Sequence, residues 1–150
     1  MFATLALVSM AAVAAGQVQL KPAAGLKSQS EVASKAKFKV IPEKAPELKT
    51  ALEAHDLKGA AKLSGKQGAF YGVVDSVVET KGHSVLFLDF DKDFKRTIAA
   101  VLLPSHYADL PDMRQIKSHK VLVSGKYVMY NGRAEILIST VDQVKIVQTK

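Results

Sequence analysis

The chain has 150 residues, 48% of them hydrophobic and 7% aromatic, enough to bury the core of one small globular protein. It contains no cysteine, which excludes disulfides and thiolate metal sites, and its four histidines (His55, His83, His106 and His119) lack the spacing of metal ligands. The formal charge of +7 suggests a nucleic-acid partner until it is divided: residues 17–66 hold ten lysines against five acids, and residues 67–150 hold eleven basic against nine acidic residues. The excess therefore lies in the leading half, where lysines ordinarily keep an exposed segment solvated.

Residues 1–15, "MFATLALVSMAAVAA", are apolar and end in small residues, the pattern of a secretory signal peptide, although the first basic residue is Lys21 and the usual positive flank is missing. The run has no polar face for a core helix and is shorter than the about 20 residues that span a bilayer. We therefore expect export to the periplasm or extracellular space, with no stable membrane span after signal removal. Residues 16–41, lysine-rich and without sustained period, read as a linker that needs no structure. Residues 42–66 read as a short helical lead-in. Within it Leu48, Ala51, Leu52 and His55 share one face of a helix over Glu47 to Asp56, Pro46 fits the first turn, and Gly59 reads as a stop.

From residue 67 to 148 the pattern becomes that of strands. "GAFYGVVDSVVE" (Gly68 to Glu79) is a long strand in which Gly72 suggests a bulge or sharp coil. "SVLFLDF" (Ser84 to Phe90) is the second strand and "TIAAVLL" (Thr97 to Leu103) the third, ended by Pro104. A helical segment follows, cut short by Pro111. Then "KVLVSGKYVMYNGRAEILI" sets Asn131-Gly132 between two apolar runs, a type I′ hairpin turn, because both of its central residues need positive φ. "VDQVKIVQ" extends or closes the last strand. The order β-β-β-α-β-β defines a mainly β fold, the five-stranded OB-fold Greek-key barrel, whose second and third strands and L12 and L45 loops form the usual ligand face.

The stretches "GAFYGVVDSV", "VLFLDFDKDFKRTIAAVLLP" and "GKYVMYNGRAEILISTVDQVKIV" resemble the bacterial OB-fold nucleic-acid-binding domains of the tRNA-anticodon type, exported examples included, over about residues 60–147. The resemblance rests on Val121, Val123, Gly125, Tyr127, Tyr130, Gly132 and Ile136 in the hairpin. It departs at Asp89, where Asn is commoner, and at Ala99 and Ala100, where larger residues are frequent. It implies the barrel and a single-stranded nucleic-acid ligand.

Such a ligand needs aromatic faces for bases and a basic groove for phosphates. Phe87 becomes a stacking platform if Leu86, Leu88 and Phe90 point inward, and is buried in the opposite phase. Tyr130, Arg133 and Lys126 could stack a base and contact phosphate at the hairpin, or could be ordinary cross-strand partners and a solvated lysine. Lys81 and His83 in L12, with Lys92, Lys95 and Arg96 after the second strand, would complete a basic rim, weakened by Asp89, Asp91 and Asp93. Those alternating acids lack the glycine and distal glutamate of a calcium loop. With no nucleophile motif, no P-loop and no paired carboxylates beside a histidine, we expect a binding protein without enzymatic activity, cofactor or metal. The ligand is expected to be single-stranded DNA or RNA held with little sequence preference. The alternative is an envelope module that binds a protein or small ligand.

Overall fold

The computed structural model describes residues 26–149, so the apolar leader lies outside the described residues. In chain order the elements are α1 (Gln29–Val32), β1 (Lys39–Ile41), α2 (Glu47–Thr50), β2 (Leu52–Glu53), α3 (Leu57–Lys62), β3 (Gln67–Val73), β4 (Ser76–Glu79), β5 (Leu86–Asp89), β6 (Ala99–Leu102), β7 (Lys120–Tyr130), β8 (Arg133–Ile138) and β9 (Val144–Val147).

The pairing describes an OB-like barrel. β3 and β4 are two halves of one strand broken at Val74 and Asp75. β4 pairs with β5, β5 with β6, β6 with β8 in parallel, β8 with β7, and β7 returns to β3. The broken strand serves both ends of this path, β3 against β7 and β4 against β5, which curls the sheet toward a barrel. The sheet holds nine strands rather than the expected five: the first is split, and β1, β2 and β9 add to the rim. The helix expected between the third and fourth strands is two 3-10 pieces, Pro104–Asp109 and Met113–Ile116, since Pro111 forbids a continuous α-helix through the segment.

Alternation sets the inner face. Leu86 and Leu88 of β5, Ala100 and Leu102 of β6, and Ile136 and Ile138 of β8 are buried, with Phe70 set edge-on to Phe90 at 5.1 Å. Each Leu, Ile or Phe removed from water in this way contributes about 1.5–3 kcal/mol. Gly72 does not bulge. It stays in register with Val121, and a β-carbon there would meet Ala54 at 2.9 Å, so the glycine admits the lead-in against the sheet. At the hairpin tip Asn131 and Gly132 have φ of 51° and 76°, the positive pair that a type I′ turn demands.

The lead-in differs from its expected form. Of the helix expected over Glu47 to Asp56, Glu47–Thr50 alone is helical. Leu52 and Glu53 pair in parallel with Phe70 and Tyr71, Ala54 N–H donates to the Tyr71 carbonyl (2.9 Å), and the Ala54 carbonyl accepts from Ile98 N–H (2.8 Å). Sheet bonds at the barrel bend outweigh a short helix that could offer only local ones. Gly59 does not stop a helix but lies within α3, where it leaves room for the Asp56 carboxylate to accept from its own N–H at 2.9 Å.

The described part of the stretch read as linker is structured as well. β1 pairs in parallel with β9, and Gln29 is 1% exposed beneath the 3-10 pieces. Its side-chain amide donates to the carbonyls of Tyr107, Leu110 and Pro111 and accepts from Met113 N–H (2.9–3.2 Å). Its own backbone N–H donates to the Glu79 carboxylate. No helix among the described residues is long and apolar enough to cross a membrane.

Candidate functional site

The phase of β5 places Phe87 outward. Leu86, Leu88 and Phe90 are buried inside, while Phe87 and Asp89 are half-buried on the outer face. Register carries that face across the sheet. Phe87 lies between Val78 of β4 and Val101 of β6, and Val101 is followed by Leu137 of β8, an apolar row spanning four strands. Val78 and Leu137 are exposed at its two ends. The adjacent positions are polar: Asp89 opposite Ser76, and Glu135 between Ala99 and Val128.

Tyr130 and Arg133 are partners across the hairpin, as expected, but their roles diverge. Tyr130 is 57% exposed at the tip. Arg133 turns back over the sheet, where Nε donates to the Thr97 carbonyl at 3.2 Å, Nη2 stands 3.6 Å from Asp89 Oδ1, and the Phe94 ring covers the guanidinium at 5.1 Å. Arg133 is therefore committed to Asp89 and Thr97 and is not a free phosphate contact.

The remaining cations separate. Lys95 and Arg96 are exposed on the 3-10 turn Phe94–Arg96, at the same end of the barrel as the hairpin tip, because the parallel register sets Thr97 and Arg133 side by side at the starts of β6 and β8. Lys81 is exposed on the turn Lys81–His83 at the opposite end, beyond Glu79 and Leu86. Lys126 is exposed on β7, opposite Gln67. The structure thus gathers Lys95, Arg96, Tyr130 and Arg133 at one end, holds Phe87 midway, and leaves Lys81 at the other end.

Electrostatics make the middle of the face unusual. Glu135 is 7% exposed, and burial pushes its carboxyl up to about 7, opposed by the Arg133 charge. Burial also raises Asp89, again against Arg133. At the rim His55 bridges Glu53 and Asp91 at 2.9–3.1 Å. The hydrogen bond to Asp91 raises the imidazole, and the same bond holds the Asp91 carboxyl below its usual range. Among the described residues no three histidine, aspartate or glutamate side chains are placed to hold a metal ion.

Sequence reasoning missed Glu135 and Thr97. Alternation along "RAEIL" sets Glu135 on the outer face, yet its burial depends on β6 and β7 beside it, which no local pattern records.

Comparison with protein-family models and with curated proteins gives no match. Among solved structures, the chain is similar to OBody AM1L10 bound to hen egg-white lysozyme, at 18% identity and a TM-score of 0.40, over 59% of this chain and 85% of that one. It is also similar to the aspartyl tRNA synthetase from Entamoeba histolytica, at 18% identity and a TM-score of 0.45, over 85% of this chain but only 28% of the synthetase.

Proposed function

We propose that this protein is a non-catalytic OB-fold binding module, a five-stranded Greek-key core with added rim strands, that takes single-stranded DNA or RNA with little sequence preference. The observation that carries the reading is the apolar row Val78, Phe87, Val101 and Leu137 in register on the outer face. Bases rest on Phe87 and on Tyr130 at the hairpin tip, and phosphates meet the exposed Lys95, Arg96 and Lys126, with Lys81 at the far end. The apolar leader supports export of the module.

Fluorescence anisotropy of labelled single strands with the full chain, across a salt series, tests this. Binding should weaken steeply as salt rises, since each phosphate contact displaces counterions, and should fall in Tyr130→Ala and Lys126→Ala. Undetectable binding at low salt would overturn it. The envelope reading, with a protein or small-ligand partner, then takes its place. It is favoured by one specific observation, the two carboxylates of Asp89 and Glu135 beside the apolar row, which repel a phosphate chain laid across the centre of the sheet.

A further inference from the structure

The lead-in holds the loop between β5 and β6 at both ends. At the far end the Ala54 carbonyl accepts from Ile98 N–H (2.8 Å), a backbone bond indifferent to pH. At the near end, one residue further along the lead-in, His55 Nε2 meets Asp91 Oδ2 at 2.9 Å while Nδ1 faces the Glu53 carboxylate at 3.0 Å. Between these ties runs the segment from Asp91 to Arg96, which carries Lys92, Lys95 and Arg96, all exposed.

The hold on Asp91 is passed along the loop. Asp91 Oδ1, the other carboxylate oxygen, accepts from Asp93 N–H (2.9 Å), Asp93 Oδ1 accepts from Lys95 N–H (3.1 Å), and the Asp93 carbonyl accepts from Arg96 N–H (3.0 Å). A relay of hydrogen bonds therefore runs from the imidazole to the two cations. The charged groups that face His55 are Glu53 on its own segment and Asp91 across the gap, with Arg96 beyond Asp91. An imidazolium donates from both ring nitrogens and serves both carboxylates. A neutral imidazole keeps one N–H, so its other nitrogen turns a lone pair toward a carboxylate and one of the two contacts is lost.

We propose that His55 is a pH-operated latch on the Asp91 to Arg96 loop, closed while the ring is an imidazolium and released when it loses its proton. The bond to Asp91 first, and then that to Glu53, raise the imidazole above 6.5, so the latch is fully formed below 6.5 and is lost as pH rises through the folded-state value above it. Asp91 stays ionised through that window, because the same bond lowers its carboxyl. Release frees Lys95 and Arg96 from their fixed places. In the single-strand reading above, on which this consequence rests, the strand is then held better below the midpoint than above it.

The test is an NMR titration of the full chain from about pH 5 to pH 8, following the His55 ring together with the Asp93 and Lys95 amides. The ring should titrate above 6.5, and both amides should shift with its midpoint. Their order parameters should fall from the rigid value of about 0.85 as the ring loses its proton. In His55→Gln, which has no proton to lose in this range, both amides should keep the released form at every pH. Amides of the barrel strands serve as the reference, since Glu135, pushed up to about 7, titrates in the same range. Loop amides that ignore the His55 midpoint, or that titrate in His55→Gln as they do in the unaltered protein, overturn the latch. A loop that titrates as expected in a protein that binds no single strand leaves the latch in place and overturns the single-strand reading.

Discussion

The two faces of the same sheet follow different rules. Inside, Leu88, Ala100 and Ile136 lie across β5, β6 and β8 as an unbroken aliphatic layer. Outside, one residue along each strand, Asp89, Ala99 and Glu135 set two carboxylates on a surface whose central strand is buried on both sides. The inner layer is what a barrel requires. The outer one carries charge where solvent reaches poorly, at a cost in stability that folding alone does not explain.

That contrast yields graded expectations. The largest effect belongs to the inner face: Ile136→Ala, at a fully buried position, should lose about 2–5 kcal/mol in urea unfolding. A loss below 1 kcal/mol, on the order of a surface change, would mean that the layer is not close-packed. On the outer face the sign should reverse. The Glu135 carboxyl titrates from 4.5 when unfolded to about 7 when folded, so the folded state binds a proton that the unfolded state releases between those values. Its contribution is most favourable below pH 4.5, is lost as pH rises to about 7, and is flat above. Glu135→Gln should therefore stabilise the protein by about 2 kcal/mol at pH 8, and the gain should vanish near pH 4. A variant that destabilises at both pH values would show that the carboxylate has a structural partner. The smallest effect should come from the hairpin tip. Tyr130→Ala should change unfolding by less than about 0.5 kcal/mol while weakening strand binding, which separates a residue held for contact from one held for packing.

What was legible in the sequence follows the range of the forces involved. Asn131-Gly132 is readable because its conformational demand is local, and the strand order is readable because turn residues and apolar runs punctuate it. The phase of β5 was open on paper, since every residue from Val85 to Leu88 is apolar. Contacts across the sheet decide it. The lead-in misled for the same reason: Leu48, Ala51, Leu52 and His55 satisfy helical spacing, but Leu52 and Glu53 are claimed by Phe70 and Tyr71. Around the hairpin, Tyr130, Lys95, Arg96 and Lys126 are exposed. The tie of Arg133 to Asp89 joins residues 44 apart in sequence and has no local mark.

Gln29 also imposes an order on assembly. The carbonyls it meets lie 78 to 82 residues further along the chain, and the amide that meets its oxygen lies 84 further. During synthesis this side chain emerges long before anything that can satisfy it, and loop closure over such a span is slow compared with formation of the hairpin. The segment around Gln29 is therefore among the last to lock, fastened onto a barrel already built. A chain that starts at residue 42 lacks that fastening and is expected to build the barrel without it.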